Sequence, residues 1–338
     1  MRAIECQQQG GPLVLVERPL PEPGSCEVRI RVHACGVCHS DAVIVQGLFP
    51  GLTYPRVPGH EVVGVIDALG ERATGWEVGQ RVGVGWHSGS CGHCGNCRHG
   101  NAFACENVHD VTGIYRDGGY GDYMVARTSA LARFAPELDM VASAPLLCAG
   151  ITTFNALRNS GAKPGDLVAV HGVGGLGHLG IQFARKLGFR TVAVNRGTDK
   201  EALARELGAH DYIDSTARDP AEALRALGGA RAIIATVTNA EAMAQLVGGL
   251  GPNGQLMVIG AVGAFEVDTL DLLMKRAAVK GWYSGTSVDS EDTLNFAALE
   301  GIASMNEIYP LDQAQAAYDH MMSGKARFRV VLDTGASG

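Results

Sequence analysis

The stretch "LVAVHGVGGLGHLG", Leu167 to Gly180, combines three signals in fourteen positions. Five apolar or half-apolar residues, "LVAVH", read as a strand buried on both faces. Gly172, Gly174 and Gly177, with Gly175 and Leu176 between them, then fit G-x-G-x-x-G, and "HLGIQFARKLG" follows with helical spacing of its apolar positions. A glycine-rich turn of another α/β domain would also contain these glycines, so the flanking pattern has to decide. Strand-like "TVAVN" (191–195), a helix near 199–207, "RAIIATV" (231–237), a helix near 240–248 and "QLMVIGA" (255–261) continue the alternation. Such alternation predicts a doubly wound parallel sheet, with a pyrophosphate seated at the helix N-terminus behind Gly172 to Gly177.

The end of the second strand should read the adenosine ribose, and there the chain has "NRGTDK", Asn195 to Lys200. An acidic residue would repel a 2′-phosphate. Asn195 removes that repulsion, while Arg196 and Lys200 are cations able to pair with a phosphate, which favours NADP(H). The competing reading has Asn195 bonding the ribose of NAD(H) and Arg196 stacking on adenine.

A chain of 338 residues predicts two domains, and 46% hydrophobic against 19% charged residues excludes a disordered one. The net charge of −7 comes without any long basic run, so nucleic acid is not an expected partner. The N-terminal "MRAIECQQQGGP" has no apolar signal core and no apolar run is long enough for a bilayer, so the expectation is a soluble cytoplasmic protein with no membrane partner. Nine cysteines in that compartment are metal ligands or buried thiols rather than disulfides.

Their spacing separates the two. "CGHCGNCRHGNAFAC" (91–105) places Cys91, Cys94, Cys97 and Cys105 on a glycine-rich loop, the donor set of a closed structural zinc, with His93 and His99 left to solvent. "HACGVCHSD" (33–41) ends a strand-like "EVRIRVHA" with Cys35 and Cys38, which as a dithiol would be a redox pair. His60 and Glu61 in "PGHEVVG" and Cys148 in "PLLCAGITT" offer a different grouping: Cys38, His60 and Cys148, two thiolates and an imidazole with one position open, the composition of a catalytic zinc. Alternation along a strand would point His60 and Glu61 in opposite directions, so both are not expected as ordinary ligands of one ion.

"GVCHSD", "PGHE", "CGHCGNCRHGNAFAC", "LLCAGITTF" and "GVGGLG" occur in this order along essentially the whole chain. Together they resemble the zinc-dependent alcohol dehydrogenases of the medium-chain dehydrogenase/reductase superfamily, in the yeast-type and cinnamyl alcohol dehydrogenase groups. The resemblance implies an α/β protein: a GroES-like β-rich catalytic domain (1–148 and 285–338) carrying the structural zinc loop 91–105, around a Rossmann domain (149–284). It implies two zinc ions, the catalytic one held by Cys38, His60 and Cys148, with Glu61 able to enter the metal sphere. Asp41 resembles the partner that orients the histidine ligand. His39 is expected near the cofactor pyrophosphate, Thr152 and Thr153 beside the nicotinamide, and Ser40 as the hydroxyl that takes the substrate proton.

The activity implied is hydride transfer between a small alcohol or aldehyde and NADP(H) or NAD(H), zinc acting as Lewis acid. Many relatives carry a proton-relaying histidine five residues after the first ligand cysteine; here that position is Val43, so the relay should end in ribose hydroxyl and water. Phe49 and Trp86, with Ile114 or Tyr115, are the expected substrate wall and favour primary aliphatic or aromatic substrates. A homo-oligomer, tetramer or dimer, is implied as well, with "GQLMVIGAVGAF" either a pairing edge strand or interior. Two other readings are a non-catalytic sensor or structural protein of the same fold, and a redox switch in which Cys35 and Cys38 join. Cys6, Cys26 and Cys35 carry no expected role.

Overall fold

The computed structural model describes residues 1–336. It divides into two compact units, Met1–Ile151 together with the chain from Ser284 onward, and Thr152–Tyr283. Among the described residues no single helix is long and apolar enough to cross a membrane.

The second unit is built on a six-stranded parallel sheet. Across it lie Asp211–Asp214, Arg190–Asn195, Leu167–His171, Ala230–Ala235, Leu250–Val258 and Ala278–Gly281. Numbered from its first strand the order is 3-2-1-4-5-6, the doubly wound arrangement whose crevice lies beyond the strand ends where the order reverses. Leu167–His171 is buried throughout because it is central and covered on both faces. Helix starts follow local chemistry: Asp219 accepts the Glu222 N–H ahead of Pro220, and Asn239 accepts the Ala242 N–H. The strand expected at 255–261 begins at Leu250 and ends at Val258 with neighbours on both sides, so it is interior; the sheet edge is Ala278–Gly281.

The first unit holds a seven-stranded sheet. Its order is Asn306–Pro310, Arg329–Asp333, Glu27–Val37, Val62–Leu69, Arg81–Val84 and Leu131–Arg133, with Tyr123–Arg127 also paired to Glu27–Val37. Only the pairing of Asn306–Pro310 with Arg329–Asp333 is parallel. Glu27–Val37 is the spine: Val28, Ile30 and Val32 alternate inward, and from Val32 to Val37 every residue is buried. A separate hairpin, Arg2–Cys6 with Leu13–Glu17, adds Ile4 and Leu13 to the same core.

His171 closes the central strand of the parallel sheet just ahead of the glycine loop. Its carbonyl accepts both the N–H and the hydroxyl of Thr236, while burial pushes its imidazole down to about 4. The unfolded chain binds a proton near pH 6.5 that the folded one refuses, so stability present above pH 6.5 is lost as pH falls toward 4. Between pH 7 and pH 5 this should remove about 2 kcal/mol. In urea titrations at each pH, His171→Asn should lose that component of the pH dependence; parallel curves for both proteins would contradict it.

Candidate functional site

Three stretches of the first unit deliver one cluster. The spine strand ends at Val37, and Cys38 continues it in extended conformation before the turn His39–Asp41 and the short helix Ala42–Gln46. His60 and Glu61 come just before Val62–Leu69, and Cys148 follows the turn Ala144–Leu147. Donor atoms of Cys38, His60, Glu61 and Cys148 lie within 4.8 Å of one another, and the two sulfurs are 3.8 Å apart. Two Zn–S bonds of about 2.3 Å at a tetrahedral angle would separate the sulfurs by about 3.8 Å. The Nε2 of His60 and the Oε2 of Glu61 are buried without a protein hydrogen-bond partner. Such orphaned atoms beside two thiols are the donor set a zinc ion satisfies.

The expectation that His60 and Glu61 point apart fails here. Both precede the strand, so its alternation does not bind them. Glu61 turns into a space kept open by Gly36, where a Cβ would collide with the carboxylate.

One buried carboxylate organises this cluster. Asp41 Oδ1 accepts from His60 Nδ1 at 3.1 Å, and Oδ2 accepts the Cys38 N–H at 2.8 Å and the Tyr120 hydroxyl at 2.9 Å. With Nδ1 carrying the proton toward Asp41, Nε2 is the basic nitrogen facing the sulfurs. Burial opposes a charge on His60, but Asp41 outweighs it and holds the imidazole well above its usual range. The Cys38 thiol is held well below its usual range, first by the hydrogen bond from Cys148 and then by His60 and Arg329. Burial pushes Glu61 up to about 7 against the pull of the Arg329 guanidinium with which it pairs. Tyr120 and Arg329 were not singled out from the sequence. They reach the cluster from 79 and 268 positions away and match no local pattern.

Cys91, Cys94, Cys97 and Cys105 form a second cluster on their loop, again with donor atoms within 4.8 Å. Its sulfurs are solvated by the backbone: the N–H groups of Cys94 and Cys91 reach Cys91 Sγ and Cys105 Sγ at 3.4 Å, and Asn107 Nδ2 reaches Cys91 Sγ at 3.3 Å. Hydrogen bonding, first from the His93 backbone, lowers Cys91 to about 6. Four sulfurs so close repel one another as thiolates, and a dication fits among them. His93 and His99 are exposed and turn to the carbonyls of Cys91 and Gly95.

In the parallel-sheet unit, Gly172 has φ +96, and a Cβ there would press on Val237 and Thr236; one on Gly177 would collide with the Gly172 carbonyl. Gly174 faces nothing within 4 Å, the open approach a pyrophosphate requires. Gly175 and Leu176 complete the loop, half-buried. Asn195 Oδ1 accepts the Val173 N–H at 3.2 Å, so this side chain fastens the glycine loop. Lys200, expected to reach a phosphate, instead donates to the Val173 carbonyl at 2.7 Å. Arg196 is exposed.

The alcohol dehydrogenase GroES-like domain matches residues 24–136, and the zinc-binding dehydrogenase domain matches 175–299. An alcohol dehydrogenase of Penicillium expansum is 44% identical over 326 residues, covering 96% of this chain and 95% of the relative. The chain belongs to the zinc-binding alcohol dehydrogenases of the medium-chain superfamily. An alcohol dehydrogenase of Geobacillus stearothermophilus is 37% identical, with 94% of each chain covered. Among solved structures, a cinnamyl alcohol dehydrogenase of Sorghum bicolor matches with a TM-score of 0.87 at 29% identity, covering 100% of this chain and 98% of that one. The protein is thus an NAD(P)-dependent alcohol dehydrogenase of GroES-like and Rossmann architecture.

In this dehydrogenase Phe49, Trp86 and Tyr115 form an aromatic cluster beside the metal-ligating set. The Trp86 ring stands edge-on to His60 at 5.0 Å, Phe49 lies 6.4 Å from Trp86, and Tyr115 6.3 Å from Phe49. Ile114 is 1% exposed within the hydrophobic core, so Tyr115 is the one that joins the aromatics. Ser40 is half-buried and His39 exposed in the turn after Cys38, while Thr152 and Thr153 are buried in the helix Ala149–Arg158. Cys35 and Cys38 lie an odd step apart on extended backbone and face opposite sides, which removes the geometry for a disulfide between them. Cys6 is buried with its thiol on the Gln8 carbonyl, and Cys26 is exposed.

Tyr120→Phe should weaken zinc binding about 10-fold in a chelator competition, the low end for loss of a group that orients a metal ligand. An unchanged metal affinity would show that Asp41 holds His60 without Tyr120.

Proposed function

We propose that this dehydrogenase interconverts primary aliphatic or aromatic alcohols and aldehydes with NADP(H), using one catalytic and one structural zinc per chain. The observation that carries the reading is the set Cys38, His60, Glu61 and Cys148, whose donor atoms lie within 4.8 Å of one another, with His60 Nε2 and Glu61 Oε2 buried and unpartnered. Bound zinc supplies a Lewis acid and the nicotinamide a hydride carrier. Asp41 and Tyr120 keep the His60 tautomer correct, and Arg329 balances the Glu61 charge that burial would otherwise neutralise. Ser40 takes the alcohol proton and returns it in the reverse direction. Val43, on the helix after it, has no ionisable group to extend that relay, so with coenzyme bound the proton would leave by the ribose hydroxyl and water. The aromatic cluster of Phe49, Trp86 and Tyr115 beside His60 supports a flat, unbranched substrate. Cys91, Cys94, Cys97 and Cys105 hold the structural ion.

Arg196 supports NADP(H): it is the exposed cation at the ribose end, since Lys200 is engaged by Val173. Nine free thiols support a reducing, cytoplasmic setting. The edge strand Ala278–Gly281, with Leu273 and Met274 of the preceding helix 72% and 74% exposed, supports a homo-oligomer in which this edge pairs with its copy.

Initial rates of benzaldehyde and cinnamaldehyde reduction test the function, comparing NADPH with NADH at matched concentrations. NADPH should give the higher kcat/KM, and Arg196→Ala should raise the NADPH KM about 10-fold while leaving NADH unaffected. Preference for NADH would overturn the cofactor assignment. No rate with either cofactor, across short alcohols as well, would favour the non-catalytic alternative. Light scattering should report a multiple of the chain mass, lowered by Leu273→Glu with Met274→Glu; an unchanged mass would remove the edge from the interface.

A further inference from the structure

Trp86 and His87 form a two-residue segment that the four-cysteine loop grips from both ends. On the near side, the His87 ring stacks on Phe103 at 5.9 Å with 19° between planes. Phe103 belongs to the turn Ala102–Ala104 that ends at the ligand Cys105. On the far side, His87 bridges Val111, and the Thr112 N–H donates to the Trp86 carbonyl at 3.1 Å. The neck of the loop is tied again by Ser88 Oγ to the Asp110 carbonyl at 2.7 Å and by Arg127 to the Asp110 carboxylate at 2.6 Å. Between these contacts the chain runs through Cys91, Cys94, Cys97 and Cys105, whose convergence closes it.

The gripped segment is also the one that meets the other site, since the Trp86 ring stands edge-on to His60 and touches Phe49. A loop held only at its stem would leave Phe103 free to drift, and the His87 ring would lose its stack. The Trp86 indole takes its orientation from its ring neighbours His60 and Phe49 and from its backbone, so a shift at the adjoining His87 passes directly to it. We propose that the four-cysteine loop is a positioning device for the substrate wall, acting through the Phe103–His87 stack on Trp86. Phe103 and His87 are therefore specificity-determining positioning residues that touch neither substrate nor metal. The specificity part rests on the reading of Trp86 as substrate wall; the positioning part does not.

The test uses full-length, zinc-loaded protein with Phe103→Ala, and Phe103→Tyr as the variant that keeps the stack. Phe103→Ala should raise the benzaldehyde KM about fivefold, the low end of coupling between sites, with acetaldehyde KM and both kcat values within about twofold. Phe103→Tyr should restore the wild-type values. In a Trp86→Ala background Phe103→Ala should add nothing. A second readout needs no turnover: with Trp76→Phe and Trp282→Phe leaving Trp86 as the sole indole, Phe103→Ala should increase acrylamide quenching of its emission. Stripping metal from the four-cysteine loop should do the same. Unchanged quenching in both cases overturns the positioning proposal, as does a KM effect that persists undiminished without Trp86. If Trp86→Ala alone moves neither KM, the substrate-wall reading falls, and the quenching result alone decides whether the loop positions Trp86.

Discussion

A carboxylate withdrawn from water is tolerated only when its oxygens are engaged, and Asp41 meets that condition with partners drawn from three parts of the chain. Cys38 lends its backbone N–H, His60 its ring N–H and Tyr120 its hydroxyl. Each bond satisfies Asp41 and at the same time fixes something else: the turn that aims the first thiol, the tautomer that leaves Nε2 basic, and the loop that carries Tyr120. The spine strand brings Asp41 to this position simply by ending at Val37, so sheet geometry and metal chemistry meet in one side chain.

Around that anion the site is shaped as much by missing atoms as by present ones. Gly36 leaves room for the Glu61 carboxylate, and Gly59, at φ +102, leaves room for the Tyr120 ring. Both vacancies lie inside a core where Val37, Val62 and Tyr120 are fully buried, so neither neighbour has space to retreat. The Glu61–Arg329 pair occupies the same interior, where an uncompensated charge would be costly.

The glycine fingerprint, the alternation of strands and helices and the two cysteine groupings were legible in the sequence because each is a local pattern with a spacing set by one physical requirement. His60 and Glu61 were misread in their relation to each other, since strand alternation was assumed for residues that precede the strand. Lys200 looked like a phosphate partner by charge and position, yet its reach let it fasten Val173. Tyr120 and Arg329 carried no local signal at all; a tyrosine after two glycines and an arginine in a C-terminal strand acquire meaning only once the sheet brings distant segments together.

The glycine loop of the parallel sheet separates two demands that usually coincide. Gly172 and Gly177 are required by the protein itself, one by its left-handed backbone and crowded neighbours, the other by a carbonyl pressed against it. Gly174 is required by nothing inside the fold, because open space lies before it. Substitution at these positions should therefore follow different rules: a side chain at 172 or 177 burdens the fold of every molecule, whereas an alanine at 174 leaves the fold untouched and intrudes only on the space a coenzyme would enter.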